Sequence, residues 1–274
     1  MALSKERTDE LSALCRKFRR GVLESIHAVQ SGHAGGSLSV CEILTLLYQE
    51  RMNLEDVSSP ERDRLVLSKG HAAPMMYINL IEKGFLPESS MSTLRRTNSI
   101  LQGHPSNSTP GVEMPSGPLG LGLSAGQGMA LALGLDGSAS RVYVVMGDGE
   151  LNEGAVWEAA MSAPKFKLNN LTAVIDHNKV QLDGTTDEVM PLGDLAAKWA
   201  AFGWNVLRCD GHDFDELSDA LDKAEDYKDG PTVIIADTIK GKGVSFMEGK
   251  AAWHGKPLSD GDLKLALEEL GGVL

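Results

Sequence analysis

The chain of 274 residues is 42% hydrophobic and carries 26 basic against 38 acidic side chains, a formal net charge of −12. That length accommodates a large core, in one big α/β domain or two small ones. The acidic balance, with no run of lysine or arginine, speaks against a sequence-independent grip on nucleic-acid phosphates. Cys15, Cys41 and Cys209 lie far apart with no paired spacing, which argues against a disulfide frame or a cysteine zinc site and points to a reducing compartment, the cytoplasm. The N-terminal stretch MALSKERTDELSALC has no apolar signal core, and no run approaches the roughly 20 apolar residues that span a bilayer. Neither export nor a membrane anchor is expected.

Leu11, Leu14, Phe18, Val22, Ile26 and Val29 recur at three- and four-residue steps, which predicts a long amphipathic helix. The glycine-rich segment SGHAGGS ends it. Ser39 and Glu42 then stand at capping-box spacing ahead of a second apolar helix carrying Ile43, Leu44 and Leu47. From Leu65 onward, short β-rich runs alternate with helical stretches; RLVLS, VYVVMG, LTAVID, NVLRCD and TVIIADT are the predicted strands. Such alternation predicts an α/β fold, a parallel sheet with helices on both faces. Between Gly117 and Gly137 the chain is rich in glycine and alanine, and the later part suits a closely packed buried helix. There is no internal repeat, low-complexity linker or evident boundary, so a single domain over residues 1–274 is expected.

The residues just past each strand carry the chemistry. Lys69-Gly70-His71, Gly147-Asp148-Gly149, Asp176-His177-Asn178, Asp210-Gly211-His212 and Thr238 to Gly243 succeed the five runs in turn. In an open parallel sheet these ends share one edge, and ligands bind in the crevice outside it. Asp148 and Asn178 lie thirty residues apart, the length of one βαβ unit, so a right-handed crossover brings them together. An aspartate, an amide and a backbone carbonyl suit Mg²⁺, which takes one or two protein oxygens alongside phosphate oxygens. Gly149 permits close approach of a phosphate, and a helix starting near Glu150 would aim free N–H groups at it. A plain tight turn is the competing account of GDG. Five of the seven histidines weigh against it, because His33, His71, His104, His212 and His254 all adjoin glycines, as a site for an anionic ligand would need. No histidine pair has the short spacing typical of zinc sites. Gly120 to Ala125 matches a dinucleotide fingerprint but comes after Ser116-Gly117-Pro118 rather than a strand. Lys240-Gly241-Lys242-Gly243 lacks the spacing of a phosphate loop and reads as a flexible loop over the crevice.

GDGELNEGAVWEAA followed at the right distance by NKVQLDG resembles the thiamine diphosphate motif in its transketolase form, and SGHAG, LSKGH, GHP, SGPLG and KAAWHGKPL are similar to successive transketolase segments. The resemblance covers nearly the whole chain. It implies that Asp148, Asn178 and the carbonyl of Val180 hold Mg²⁺ on the diphosphate of thiamine diphosphate, with His71, Gly149, Glu150 and His254 at or beside that diphosphate. Gly117, Pro118, Leu119 and Leu182 would surround the thiazolium. His33, His71, His104 and His254 would line the substrate channel, and Glu153 and Glu158 match acids of the family's inter-subunit glutamate network.

Leu121 stands where the family commonly has glutamine, and Ala34 where it has proline. The larger departure is length: three-domain transketolases are more than twice as long, so the pyrimidine-binding and C-terminal domains are absent from this chain. The resemblance therefore implies the N-terminal subunit of a split transketolase, inactive alone and completed by a separate C-terminal subunit, in an α2β2 heterotetramer where a large apolar surface meets the partner. The implied reaction is two-carbon ketol transfer between sugar phosphates of the pentose phosphate pathway. A split transketolase for a modified, branched or sulfonated sugar is the near alternative. A non-catalytic binding module is disfavoured by the presence of Asp148, Asn178 and the channel histidines, and a 2-oxo acid dehydrogenase α subunit by the GHP and WHG segments.

Overall fold

A computed structural model describes residues 3–271. Five strands form one parallel sheet in the order β1-β2-β3-β5-β4: β1 Arg64–Leu67, β2 Val142–Gly147, β3 Leu171–His177, β4 Asn205–Asp210 and β5 Thr232–Asp237. They coincide with the five predicted runs. Alternation within each strand sends Leu65, Leu67, Tyr143, Val145, Val174 and Ile234 to one face, and Val66, Val142, Val144, Met146, Ala173 and Ile175 to the other. Both faces are covered, which is why the runs read as continuously apolar.

The first face shares one core with α1 (Lys5–Val29), α2 (Ala34–Ser39), α3 (Cys41–Leu46), α4 (Ala73–Glu82), α9 (Phe214–Asp226) and α10 (Asp260–Glu269), the last packed on α1. The second packs against α5 (Gly122–Leu135), α6 (Gly154–Lys165) and α8 (Leu195–Ala201), while the single turn α7 (Thr186–Val189) lies in the β3–β4 connection. Right-handed crossovers put α6 and α8 on one face as the chain moves outward, and α9 on the opposite face when the chain returns from β4 to β5. Cys15, Cys41 and Cys209 are free and buried. Among the described residues, no helix is long and apolar enough to cross a membrane.

Helix α1 begins at Ser4, whose side chain accepts from the Arg7 N–H, and ends at Gln30 in the left-handed region. Leu11, Phe18, Val22 and Ile26 are buried along it, as its periodicity requires. As expected, α1 stops at the edge of SGHAGGS, whose Gly35 and Gly36 then enter the first turn of α2, but the capping box at Ser39 and Glu42 does not form. Ser39 is the last residue of α2, with its hydroxyl on Asp176, and Glu42 is paired with Arg19 and His212, so long-range partners outcompete the local cap.

Helix α5 also differs from expectation. Only Gly122, Leu123, Gly126 and Ala130 are buried, a narrow stripe seated on the sheet. Leu135, the last residue of α5, is 80% exposed, and Met161 of α6 and Phe166 just after it are 61% and 50% exposed. A Cβ at Gly126 would collide with Val144 of β2, so the helix sits as close as glycine allows. Gly126→Val is expected to lower unfolding stability by about 1–3 kcal/mol through overpacking. A urea midpoint equal to the parent's would show that α5 is not seated directly on β2.

Candidate active site

Register places Gly147 beside Asp176, and His177 beside Asp237, so the carboxyl ends of β2, β3 and β5 finish level. Beneath the crevice they border lies a pair of buried charges. Lys69, directly after β1, donates to Asp176 at the end of β3, and to the Gly36 carbonyl of α2 at 2.9 Å. Asp176 also accepts from Ser39 at 2.6 Å, from Thr238 after β5, and from the Asn178 amide at 3.2 Å. Burial alone would raise its pKa, but Lys69 and the two hydroxyls hold it below the ordinary carboxylate value.

Asp148, Asn178 and Val180 stand above this floor. Asp148 is buried, and its carboxylate accepts from the backbone N–H groups of Gly149, at 2.7 Å, and Lys179. No ion pair to it forms among the described residues. Burial and the adjacent Asp176 push its pKa up to about 6, the condition of a carboxylate lacking a cation. Asn178 Oδ1 accepts from the Val180 N–H at 3.2 Å, and the Val180 carbonyl accepts from Lys240 Nζ at 2.9 Å. The segment after Asp148 is a 3-10 turn, Gly149–Asn152, and α6 proper starts only at Gly154. The Gly149 N–H is taken by Asp148, so the expected ring of free helical donors near Glu150 is not formed. Glu150 is buried instead as a tie: it accepts from Ser68, from Gly120 N at 2.8 Å and from Gly147 N at 3.1 Å, joining β1, the loop before α5 and the end of β2.

His33 at the start of α2, His71 in the 3-10 turn after β1, His104 in the GHP loop and His254 near the end of the chain form one cluster. His33 lies 5.3, 6.0 and 5.4 Å from His71, His104 and His254 by ring centroid, and His71 lies 5.1 Å from His254. Burial, followed by neighbouring cations, lowers all four: His33 to about 4 with Arg95 beside it, His254 to about 3 with Lys240 beside it, and His71 and His104 in the same direction. All four rings are thus neutral at pH 7. Lys240 Nζ lies 2.8 Å from His254 Nδ1, so the neutral His254 ring carries its proton on Nε2. Lys240 is itself lowered to about 8, by burial and by Lys69.

These groups line a cavity of about 390 Å³, within the size range of small-molecule sites. His33, His71, His104, Gly117, Leu119, Asp148, Gly149, Glu150, Glu153, Asn178, Val180, Leu182 and His254 all border it. Pro118 and Glu158 do not, and both are exposed. Glu153 is the N-cap of α6 at the cavity wall, packed against Gly120, where φ is 84° and an added Cβ would come within 2.6 Å of it. His212 lies elsewhere, on Glu42 and Ile239. Lys69, Asp176 and Lys240 were placed along the sheet edge from sequence but given no role of their own, and the KGKG segment is no flexible loop: Lys240 is 2% exposed and the Gly241 N–H bonds the Gly35 carbonyl at 3.0 Å. Their one signal was a charge set at the end of an apolar strand, before a glycine for Lys69 and Lys240 and before His177 for Asp176.

The family model for the thiamine diphosphate-binding domain of transketolase matches residues 12–272. The chain belongs to the transketolase family. It is 44% identical over 268 residues to the 6-deoxy-6-sulfo-D-fructose transketolase subunit SqwG of Clostridium sp. (strain MSTE9), covering 97% of this chain and 98% of that one. It is 42% identical over 248 residues to an apulose-4-phosphate transketolase subunit of Phocaeicola vulgatus, covering 90% and 88% respectively. The crystal structure of transketolase from Campylobacter jejuni superposes with a TM-score of 0.89 at 31% identity, over 95% of this chain and 42% of that one.

The cavity meets the demands of the transketolase cofactor. Among the described residues, no cluster of three His, Cys, Asp or Glu side chains forms a metal cage. The buried Asp148 carboxylate, the Asn178 amide oxygen and the Val180 carbonyl are hard oxygen donors of the kind Mg²⁺ takes beside phosphate oxygens. Two buried ammonium groups and four neutral imidazoles face the same space, as a diphosphate needs. His33 Nδ1 and Gln181 Nε2 are buried without a hydrogen-bond partner among the described residues, both at this cavity. The residues present fit the group.

Neutral burial of these histidines has a signed consequence. Their folded pKa values lie below the unfolded value of about 6.5, so below that pH the unfolded chain binds protons that the folded chain does not, and stability falls with falling pH. The urea midpoint is expected to drop between about pH 6.5 and pH 3, the window set by His33, lowered to about 4, and His254, lowered to about 3. A His33→Gln, His254→Gln double variant should show a shallower acid slope; an unchanged slope would mean these rings are not buried as neutral groups.

Proposed function

We propose that this chain is the thiamine diphosphate-binding, N-terminal subunit of a two-subunit transketolase. A single arrangement carries the reading: a hard-oxygen set at two adjacent strand ends, two buried lysines and four neutral histidines face one cavity, in a chain whose end-to-end relatives are named as transketolase subunits. Asp148, Asn178 and the Val180 carbonyl hold Mg²⁺, and His71, Gly149 and His254 adjoin the diphosphate. When bound, thiamine diphosphate supplies the carbanion chemistry that breaks and remakes a carbon–carbon bond beside a carbonyl. The chain's own residues orient the sugar and handle its protons. His254, with its proton on Nε2, can donate to a developing oxyanion, and His33 and His104 offer neutral imidazoles to hydroxyls along the channel.

The site is open on one side, where Leu119 and Leu182 are exposed, together with Leu121 on the loop before α5. A separate C-terminal subunit covers it there, supplying the pyrimidine-binding and C-terminal domains, and Glu153 and Glu158 face the subunit boundary in an α2β2 assembly in the cytoplasm. The substrates are sugar phosphates of the pentose phosphate type or a modified sugar. The second option is favoured by one observation: the two relatives spanned end to end are named for 6-deoxy-6-sulfo-D-fructose and apulose 4-phosphate.

Ketol transfer from xylulose 5-phosphate to ribose 5-phosphate, with thiamine diphosphate and Mg²⁺, is expected to be absent for the purified chain and present for the complex it captures from its native extract. Activity with 6-deoxy-6-sulfo-D-fructose but not xylulose 5-phosphate would select the modified-sugar reading, and a complex without bound cofactor would overturn the assignment. In the active complex, His254→Ala should lower turnover about 10²- to 10⁴-fold with the melting temperature retained. Asp148→Asn should abolish Mg²⁺-dependent binding of thiamine diphosphate by calorimetry, and unchanged binding would remove Asp148 from the metal site.

A further inference from the structure

His212 sits between β4 and α9, outside the cavity, with only 10% of its side chain exposed. Its Nδ1 lies 2.9 Å from Glu42 Oε2, and its Nε2 accepts from the backbone N–H of Ile239 at 2.9 Å. A carboxylate can only accept, so the ring proton is on Nδ1 and the Nε2 lone pair is left for Ile239. Glu42 is itself fixed, since Arg19 Nη2 donates to it at 2.7 Å and to the Leu38 carbonyl at 3.2 Å. Burial would raise the Glu42 pKa, but Arg19 and His212 together hold it at about 2.

Several backbone groups of the segment leaving β5 are held, the Lys240 carbonyl by Gly249 N at 2.9 Å and Gly243 N by the Glu248 carboxylate at 2.9 Å among them, and three N–H groups flank Lys240. Thr238 N donates to the His177 carbonyl at 3.2 Å, Gly241 N to the Gly35 carbonyl at 3.0 Å, and Ile239 N to His212. The bond at Ile239 is the one of the three that a side chain makes. It falls on the residue just before Lys240, whose ammonium reaches the Val180 carbonyl and His254 Nδ1 at 2.9 and 2.8 Å.

We propose that His212 is a positioning residue: its Nε2 lone pair fixes the backbone of Ile239 and so aims Lys240 at Val180 and His254 in the cofactor cavity. Its effect on cofactor affinity rests on the reading of that cavity as a thiamine diphosphate site, while its effect on the loop does not.

Two substitutions separate its two hydrogen bonds. His212→Asn keeps a donor toward Glu42 and removes the acceptor for Ile239, whereas His212→Gln keeps an acceptor for Ile239. Hydrogen–deuterium exchange on the full chain follows the amides of Ile239 to Gly243, and calorimetry of its captured complex with thiamine diphosphate and Mg²⁺ follows affinity. For His212→Asn we expect exchange at Ile239 to accelerate and affinity to fall, each by about tenfold, the usual scale for one lost hydrogen bond. His212→Gln should return both toward the parent values. Parent-like exchange in His212→Asn would overturn the proposal. Equal losses in both variants would also overturn it, since they would mark a packing role. If the complex of the parent chain with its captured partner subunit binds no thiamine diphosphate, the cofactor reading falls and the exchange comparison alone decides the positioning role.

Discussion

The site rests on the buried pair of Lys69 and Asp176. One carboxylate receives bonds from Lys69 after β1, Ser39 of α2, Asn178 after β3 and Thr238 after β5, so four separate chain segments converge on two oxygens. Removing two charges from water costs several kcal/mol per ion before their attraction is counted, and such a pair persists only when further hydrogen bonds satisfy its remaining lone pairs and protons. Here they do so: the lysine also reaches the Gly36 carbonyl. The pair therefore locks the relative placement of the segments that present His33, His71, Asn178 and Lys240.

Above that lock the charges are arranged for an anion and a cation together. Asp148 is a buried carboxylate without a cationic partner among the described residues, while Lys240 and the four histidines contribute positive charge or neutral donors nearby. Burial keeps the imidazoles uncharged, so they can give and take protons without first losing one to water. Lys240 does double duty, since its ammonium touches a backbone carbonyl and selects the tautomer of His254.

Much of this was legible in sequence because strands buried on both faces show as unbroken apolar runs, and because polar residues after each run must share an edge. Asp148, Asn178 and His71 were visible for that reason, and His33, His104 and His254 by their adjoining glycines. Lys69, Asp176 and Lys240 stood on the same edge, but their buried pairing was not legible, because burial of a charge is decided by partners more than sixty residues away for Lys69 and Asp176, and sixty away for Lys240. The same cause misled at Ser39 and Glu42, whose spacing promised a local cap that distant partners claimed. His212 shares the Gly-His signature of the site histidines, yet Glu42 and Ile239 occupy both of its nitrogens. Periodicity alone also could not say that α5 buries only one stripe, because glycine and alanine fit a crowded face and a bare one equally well.

The bare side of α5 and α6 carries Leu135, Met161 and Phe166 in water. Any molecule that covers such a face binds the folded chain and not the unfolded one, so the folding equilibrium acquires a concentration dependence. At a hundred times its dissociation constant, a covering partner would contribute about 2.7 kcal/mol, a sizeable part of a typical domain's total stability. The amount of intact protein would then track the supply of that partner, and a chain made in excess of it would be the form most exposed to proteolysis and self-association.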